Sequence, residues 1–153
     1  MQIRRARRGD AREIESLYRA LVPGDDNIHV DARRIEALES DPTNVVLVAQ
    51  TEEGVCGTAF LTICLDAMYG FNPYGVVENI VIDGSMQGKG IGRALIAAVE
   101  AEARAAQCTK LMLLSAVQRT DAHRFFARLG FDGERKRGFV KYLNSTPVLR
   151  LPA

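Results

Sequence analysis

The chain is short of most residues that would announce a cofactor or a scaffold by themselves. It has three cysteines, Cys56, Cys64 and Cys108. They are odd in number, scattered and without CxxC spacing, which argues against a disulfide framework or a zinc site and leaves them as small buried core residues. With His29 and His123 the only histidines, a cysteine nucleophile would lack an obvious base, and no metal is expected. The formal net charge is +1, so no global field draws the protein to nucleic acid or to an anionic membrane. The arginine clusters at Arg4–Arg8 and Arg135–Arg137 read as solvated charges beside turns, with acidic residues close by. No apolar run approaches the roughly 20 residues of a membrane span, and the opening Met-Gln-Ile-Arg-Arg lacks the apolar core of a signal peptide. A cytoplasmic protein that touches neither membrane nor nucleic acid is the expectation. No repeat or low-complexity run is present, and 47% hydrophobic with 25% charged residues is ordinary globular composition.

What the sequence does contain is a pattern of helices and strands that fits one domain over residues 1–153, with 144–153 as a C-terminal tail. Ile14, Leu17, Tyr18 and Leu21 share one face of a helix, for which Asp10 is the expected N-cap and Glu13 its capping-box partner. A shorter helix starts near Asp31, carries Ile35 and Leu38, and stops at Asp41-Pro42. Val45–Ala49 and Val55–Leu65 flank Glu52-Glu53-Gly54 as a hairpin. Residues 66–75, rich in glycine, proline and aromatics, read as a loop. Ile91, Leu95 and Val99 mark a helix to about Ala106, with Glu100 and Arg104 paired at i, i+4, and Leu111–Leu114 is a short strand. Strand, helix, strand in this order implies a crossover to a parallel neighbour. A last helix, capped by Thr120 or Asp121, presents Ala122, Phe125, Phe126 and Leu129 and ends at Gly130. Phe131–Glu134 and Phe139–Leu143 look like a terminal hairpin.

The centre of the pattern is Val76–Arg93: a strand, a glycine-rich turn and the start of a helix. Glycines at 88, 90 and 92 allow a ligand close to the backbone, and a helix N-terminus offers unpaired N–H groups, together a site for phosphate. A Walker loop is excluded, because Lys89 is followed by Gly90 and the earlier glycine would fall on Asp83. A dinucleotide fingerprint fits poorly, since its third small residue would be Arg93. Glu78 interrupts an apolar strand, and a carboxylate buried there would be costly unless paired or functional. The alternative to a functional Glu78 is an ion pair with an arginine at the core edge. Asn79, on the opposite face of a regular strand, reads as a structural hydrogen-bonder.

Gln87-x-x-Gly90-x-Gly92 after an apolar strand and before an amphipathic helix resembles the acyl-CoA pyrophosphate loop of the GCN5-related N-acetyltransferase (GNAT) superfamily. The strand at Leu111–Leu114 and the segment Ala122-His-Arg-Phe-Phe-Ala-Arg-Leu-Gly-Phe131 extend that resemblance over nearly the whole chain. It implies a mixed α/β fold, a splayed sheet of six to seven strands flanked by about four helices. It also implies an acetyltransferase that moves an acetyl group from acetyl-CoA to a primary amine, by direct attack in a ternary complex. In that family's terms Gln87, Gly88, Lys89, Gly90, Ile91, Gly92 and Arg93 would hold the pyrophosphate. Ile80, Val81 and Ile82 would pair with the pantetheine arm, and a strand N–H near Ile80 or Val81 would hold the developing oxyanion. Phe125 and Phe126 would be further coenzyme contacts. Arg119 stands where many members have a coenzyme-contacting Asn, and His123 is expected on the surface or against the coenzyme.

An amine of pKa near 10 is about one part in a thousand neutral at pH 7, so transfer needs a proton acceptor, and Glu78 is the candidate base or amine binder. Phe126 replaces the tyrosine that many members use to protonate the leaving thiolate. Tyr142 is the candidate donor in its place, with Tyr74, Ser115 or water as alternatives. The short chain favours a small-molecule acceptor, in a pocket shaped by loops 23–29 and 66–74, and a homodimer is possible. The other reading is an acyl-CoA-binding regulatory module with weak or no transferase activity.

Overall fold

The computed structural model describes residues 1–143, so the expected tail at 144–153 lies outside the described residues. The chain forms two compact units, Met1–Leu113 and a second that begins at Leu114. The first contains β1 (Gln2–Arg5), α1 (Ala11–Leu21), α2 (Ala32–Leu38), β2 (Asn44–Thr51), β3 (Gly54–Cys64), β4 (Tyr74–Ile82), α3 (Ile91–Ala105) and β5 (Leu111–Leu113). The second contains α4 (Thr120–Arg128).

The strands form one sheet in chain order, β1 to β5, antiparallel except for the parallel pair β4–β5 that α3 connects. Period-two alternation sends side chains to two cores. On one face Val45, Leu47, Ala59, Leu61 and Val77 pack against Ile91, Leu95 and Val99 of α3. On the other, Val46 and Val48 pack against Ile14 of α1 and Ile35 of α2. The helical spacing read from sequence therefore buries the residues it should, and Glu100–Arg104 forms the expected exposed pair.

Two local expectations change. Asp10 precedes α1, but its side chain makes no cap bond. It accepts instead from Nη1 and Nη2 of Arg4 at 2.7 and 2.9 Å and from the Arg7 N–H at 2.7 Å. A bidentate, charge-assisted pair outcompetes a single neutral cap bond. Glu13, freed from a capping box, accepts the Val55 N–H at 3.0 Å. Asp31 does cap α2, accepting from the Arg33 N–H at 2.8 Å.

Among the described residues the sheet has five strands instead of six to seven, and the terminal hairpin expected within residues 131–143 does not form. Asp132 there accepts the N–H groups of Glu134 and Arg135, which turns the chain locally. Phe139, Val140, Tyr142 and Leu143 are exposed. An apolar, β-prone run without a second strand to hydrogen-bond or a core to face does not make a strand.

Candidate active site

The register between β3 and β4 slips once. Phe60 lies opposite Glu78 and Thr58 opposite Val81, so Asn79 and Ile80 share the single partner position of Ala59. This is a β-bulge, and Asn79 takes it up in the left-handed region at φ 53°. The extra residue resets the phase of the strand. Val77 faces the α3 core, and Ile80 and Ile82, which without the bulge would point away, pack against the same core. The sequence carries no periodic signal for this, since Val76-Val77 and Ile80-Val81-Ile82 are apolar at both odd and even positions.

The bulge corrects the expectation for Glu78. Its carboxylate is exposed, not buried, and no ion pair or side-chain hydrogen bond joins it to another described residue. The burial cost argued from an uninterrupted strand is absent, and so is the arginine partner. Asn79 is exposed beside it instead of turning to the opposite face. Tyr18 of α1 was missed as a neighbour of this point. It is half-buried and packs in the same core cluster as Phe60, the residue opposite Glu78, and burial raises its phenol above the ordinary value.

β5 pairs only with Gly75, Val76 and Val77, so from Glu78 onward that edge of β4 has no strand partner among the described residues. The side chain of Val81 is buried, and those of Ile80 and Ile82 lie against the α3 core. A ligand running along this edge would meet backbone N–H and C=O groups.

The same strand leads into the glycine turn. Asp83 accepts the Ser85 N–H at 2.9 Å, and its hydrogen bonds from Ser85 hold the carboxyl below the usual range. One 3₁₀ turn follows at Gly84–Met86. Gly88 and Gly90 have φ of 76° and 80°, and a Cβ on either would meet no protein atom within 4 Å. Their conformation excludes most side chains, while the protein itself leaves space in front of them. Gly90 is the N-cap of α3 and supplies no side-chain cap, so the first-turn N–H groups at Ile91, Gly92 and Arg93 are left to a ligand or solvent. Gln87, Lys89 and Arg93 are exposed around the turn, with Lys89 Nζ 3.3 Å from Met86 Sδ. Ile91 is a core side chain, so only its N–H faces outward. The donor set suits a pyrophosphate: backbone N–H groups, a positive helix end and two mobile cations.

In the second unit, Arg119 occupies the N-cap position of α4 without a side-chain bond. Neither Thr120 nor Asp121 caps the helix, and Asp121 pairs with Arg124 instead. The C-terminus is a Schellman arrangement, with Gly130 N–H on Ala127 O at 3.0 Å and Phe131 N–H on Phe126 O at 3.1 Å. The Phe126 and Phe131 rings meet edge to face, centroids 5.9 Å apart, and Phe125 lies 5.3 Å from Phe126. Phe126 therefore has a packing role of its own in closing the helix. His123 is exposed, with Nε2 3.0 Å from Ala116 O. Tyr142 is exposed, and Ser115 Oγ is buried without a hydrogen-bond partner among the described residues. No group of three or more His, Cys, Asp or Glu side chains that could hold a metal occurs among the described residues. No helix among the described residues is long and apolar enough to cross a membrane.

A mixed sheet with a glycine turn at the N-terminus of the helix that joins its parallel pair is the arrangement that the resemblance implied. Residues 11–131 match the Acetyltransferase (GNAT) family. An aminoglycoside N(6')-acetyltransferase type 1 of Stenotrophomonas maltophilia is 31% identical over 133 residues, 85% of each chain. Among solved structures, a putative acetyltransferase from Agrobacterium tumefaciens superposes with a TM-score of 0.84 at 28% identity, over 93% of this chain and 99% of that one. AAC(6')-Iy, in complex with the bisubstrate analogue CoA-S-monomethyl-acetylneamine, gives 0.75 at 22% identity, over 92% and 97%. The chain belongs to the GNAT acetyltransferase family and is an enzyme of that class, with acetyl-CoA as its acyl donor.

Proposed function

We propose that the protein acetylates a primary amine of a small molecule, the amine attacking acetyl-CoA directly within a ternary complex. The observation that carries this reading is the continuity of β4: an edge without a strand partner among the described residues, from Glu78 to Ile82, runs straight into an uncapped glycine turn. Gln87–Arg93 would take the pyrophosphate through N–H groups, Lys89 and Arg93, and Ile80–Ile82 would hydrogen-bond the pantetheine amides as an added strand. An N–H near Ile80 would receive the charge that develops on the thioester oxygen.

Glu78, exposed on the same strand, accepts the proton of the amine directly or through water, or holds the ammonium before attack. Tyr142 is the proposed donor to the departing thiolate. Its contribution should be modest, since an alkyl thiol of pKa about 8.5 is already a fair leaving group. Phe125 and Phe126 would add ring surface for the coenzyme. The acceptor class most worth testing first is the aminoglycosides, on which the relative at 31% identity is named to act. Asp25, Asp26 and Asp66, in the loops after α1 and β3, suit a cationic amine.

Calorimetric titration with acetyl-CoA followed by a thiol-release assay tests the reading, with aminoglycosides, polyamines, amino acids and lysine peptides as acceptors. Binding with thiol release on a small amine, and the acetylated product found by mass spectrometry, is the expected result. Binding without release above hydrolysis on any acceptor would instead support a regulatory acyl-CoA-binding module. Release only with peptides would overturn the small-molecule assignment.

A further inference from the structure

Up to the bulge, β4 sends its odd-numbered residues toward α3 and its even-numbered ones to the opposite face of the sheet. Val77 lies in the α3 core, and a Cβ on Gly75 would meet Leu111 and Leu61 of that same core. Tyr74, Val76 and Glu78 therefore share the other face. Each stands directly opposite a β3 residue on that face, Cys64, Thr62 and Phe60 in turn. Met112 of β5 continues the row beside Val76. Among the described residues, α1 and α2 pack on this face against Val46, Val48 and Phe60. Beyond Phe60, Val76, Met112 and Tyr74 are half-buried and belong to neither core cluster. All of these residues lie within the unit Met1–Leu113.

This strip carries a charge at each end. Glu78 closes one end, exposed and without an ion partner among the described residues. At the other end Lys110, just before β5, places its Nζ 5.3 Å from the centroid of the Tyr74 ring. The ring's quadrupole holds the ammonium there without neutralising it. Lys110 is exposed and forms no ion pair among the described residues. Asp66, on the loop after β3, accepts the Met68 N–H at 2.9 Å instead. Four residues at about 3.3 Å each put the Cα atoms of Tyr74 and Glu78 roughly 13 Å apart. Val76 and Met112 form an apolar floor between them. A ligand with two positive charges would meet a like charge at Lys110, whereas an amine with an anionic group at its far end meets an opposite charge at both ends.

We propose that this strip receives the acceptor and selects an amine that carries an anionic group: the ammonium lies at Glu78, the body crosses Val76 and Met112, and Lys110, seated on the Tyr74 ring, holds the anion. Lys110 acts on the choice of acceptor and takes no part in the transfer. Polycations, aminoglycosides among them, are then poorer acceptors than amines with an anionic tail. This inference rests on the assignment of Glu78 to the acceptor amine.

Three acceptors of one chain length separate the cases: ω-aminooctanoate, ω-aminooctanol and diaminooctane, assayed by thiol release from acetyl-CoA. Wild-type kcat/KM per amino group should be highest for aminooctanoate, about fivefold above aminooctanol, and lowest for diaminooctane. Lys110→Met keeps most of the side chain and removes its charge. The KM for aminooctanoate should rise to that for aminooctanol, with kcat and the acetyl-CoA Kd unchanged. Lys110→Glu should reverse the order of aminooctanoate and diaminooctane. Because Lys110 is exposed, both variants should keep the wild-type circular dichroism. A wild-type order with diaminooctane at or above aminooctanoate, or an order that survives Lys110→Glu, would overturn the inference and leave amine acetylation standing. Transfer to other amines with none of these three accepted would do the same. Absence of transfer by the wild-type protein on every amine would overturn both.

Discussion

Two carboxylates, Glu78 and Asp10, show what a residue's surroundings decide. Glu78 is exposed without an ion partner among the described residues, so its value lies in its place on β4. Glu78→Gln should lower kcat about 10²-fold, the scale of general acid–base catalysis, with little change in acetyl-CoA Kd. The loss should be greatest below the amine pKa, where a proton must be removed. Equal rates for variant and wild type from pH 6 to 9 would make Glu78 structural. Asp10 is buried and ion-paired with Arg4, whose guanidinium holds the carboxyl below its ordinary value against the opposing effect of burial. A depressed folded-state carboxyl contributes stability that is fully present above about pH 4 and is lost as pH falls below it. Asp10→Ala leaves the Arg4 charge half-enclosed and should cost about 3 kcal/mol, measured by denaturant unfolding at pH 7. The difference from wild type should shrink on acidification. Sequence reasoning assigned Asp10 to the helix cap because the cap motif is local, whereas Arg4 reaches it by tertiary geometry.

Elements were legible where one chain segment carried its own signal. The apolar faces of α1 and α3, the β2–β3 hairpin and the glycine turn all lie where the periodicity and turn residues put them. The bulge was not legible, because Val76-Val77 and Ile80-Val81-Ile82 are apolar at both odd and even positions and give the strand no phase. The terminal hairpin was overread: Phe139–Leu143 is apolar or aromatic apart from Lys141, yet composition states a preference that only a pairing partner fulfils. The turn supports a prediction of its own. In Gly90→Ala the added Cβ meets no protein atom, so the cost in stability should be that of a left-handed alanine, about 1–2 kcal/mol. The effect on coenzyme should be larger, at least tenfold in Kd by calorimetry, since the methyl group enters the space in front of the helix N-terminus. Unchanged affinity would refute the placement of the pyrophosphate at this turn.

At the scale of the molecule, the family was legible because a strand, a glycine turn and a helix in series impose a topology. The parallel β4–β5 pair follows from that order. The acceptor was not legible, because loops that recognise it are shaped by residues with little pattern of their own. What would unite the fold with its chemistry is the β5-facing edge of β4, paired in the sheet up to Val77 and proposed to carry a ligand beyond it. Amide hydrogen exchange, compared with and without coenzyme A, reads this directly. The account predicts slowed exchange confined to backbone amides within residues 80–82 and 88–93, with the β1–β2 pair unchanged. Binding of coenzyme A with no added protection in either segment would contradict it.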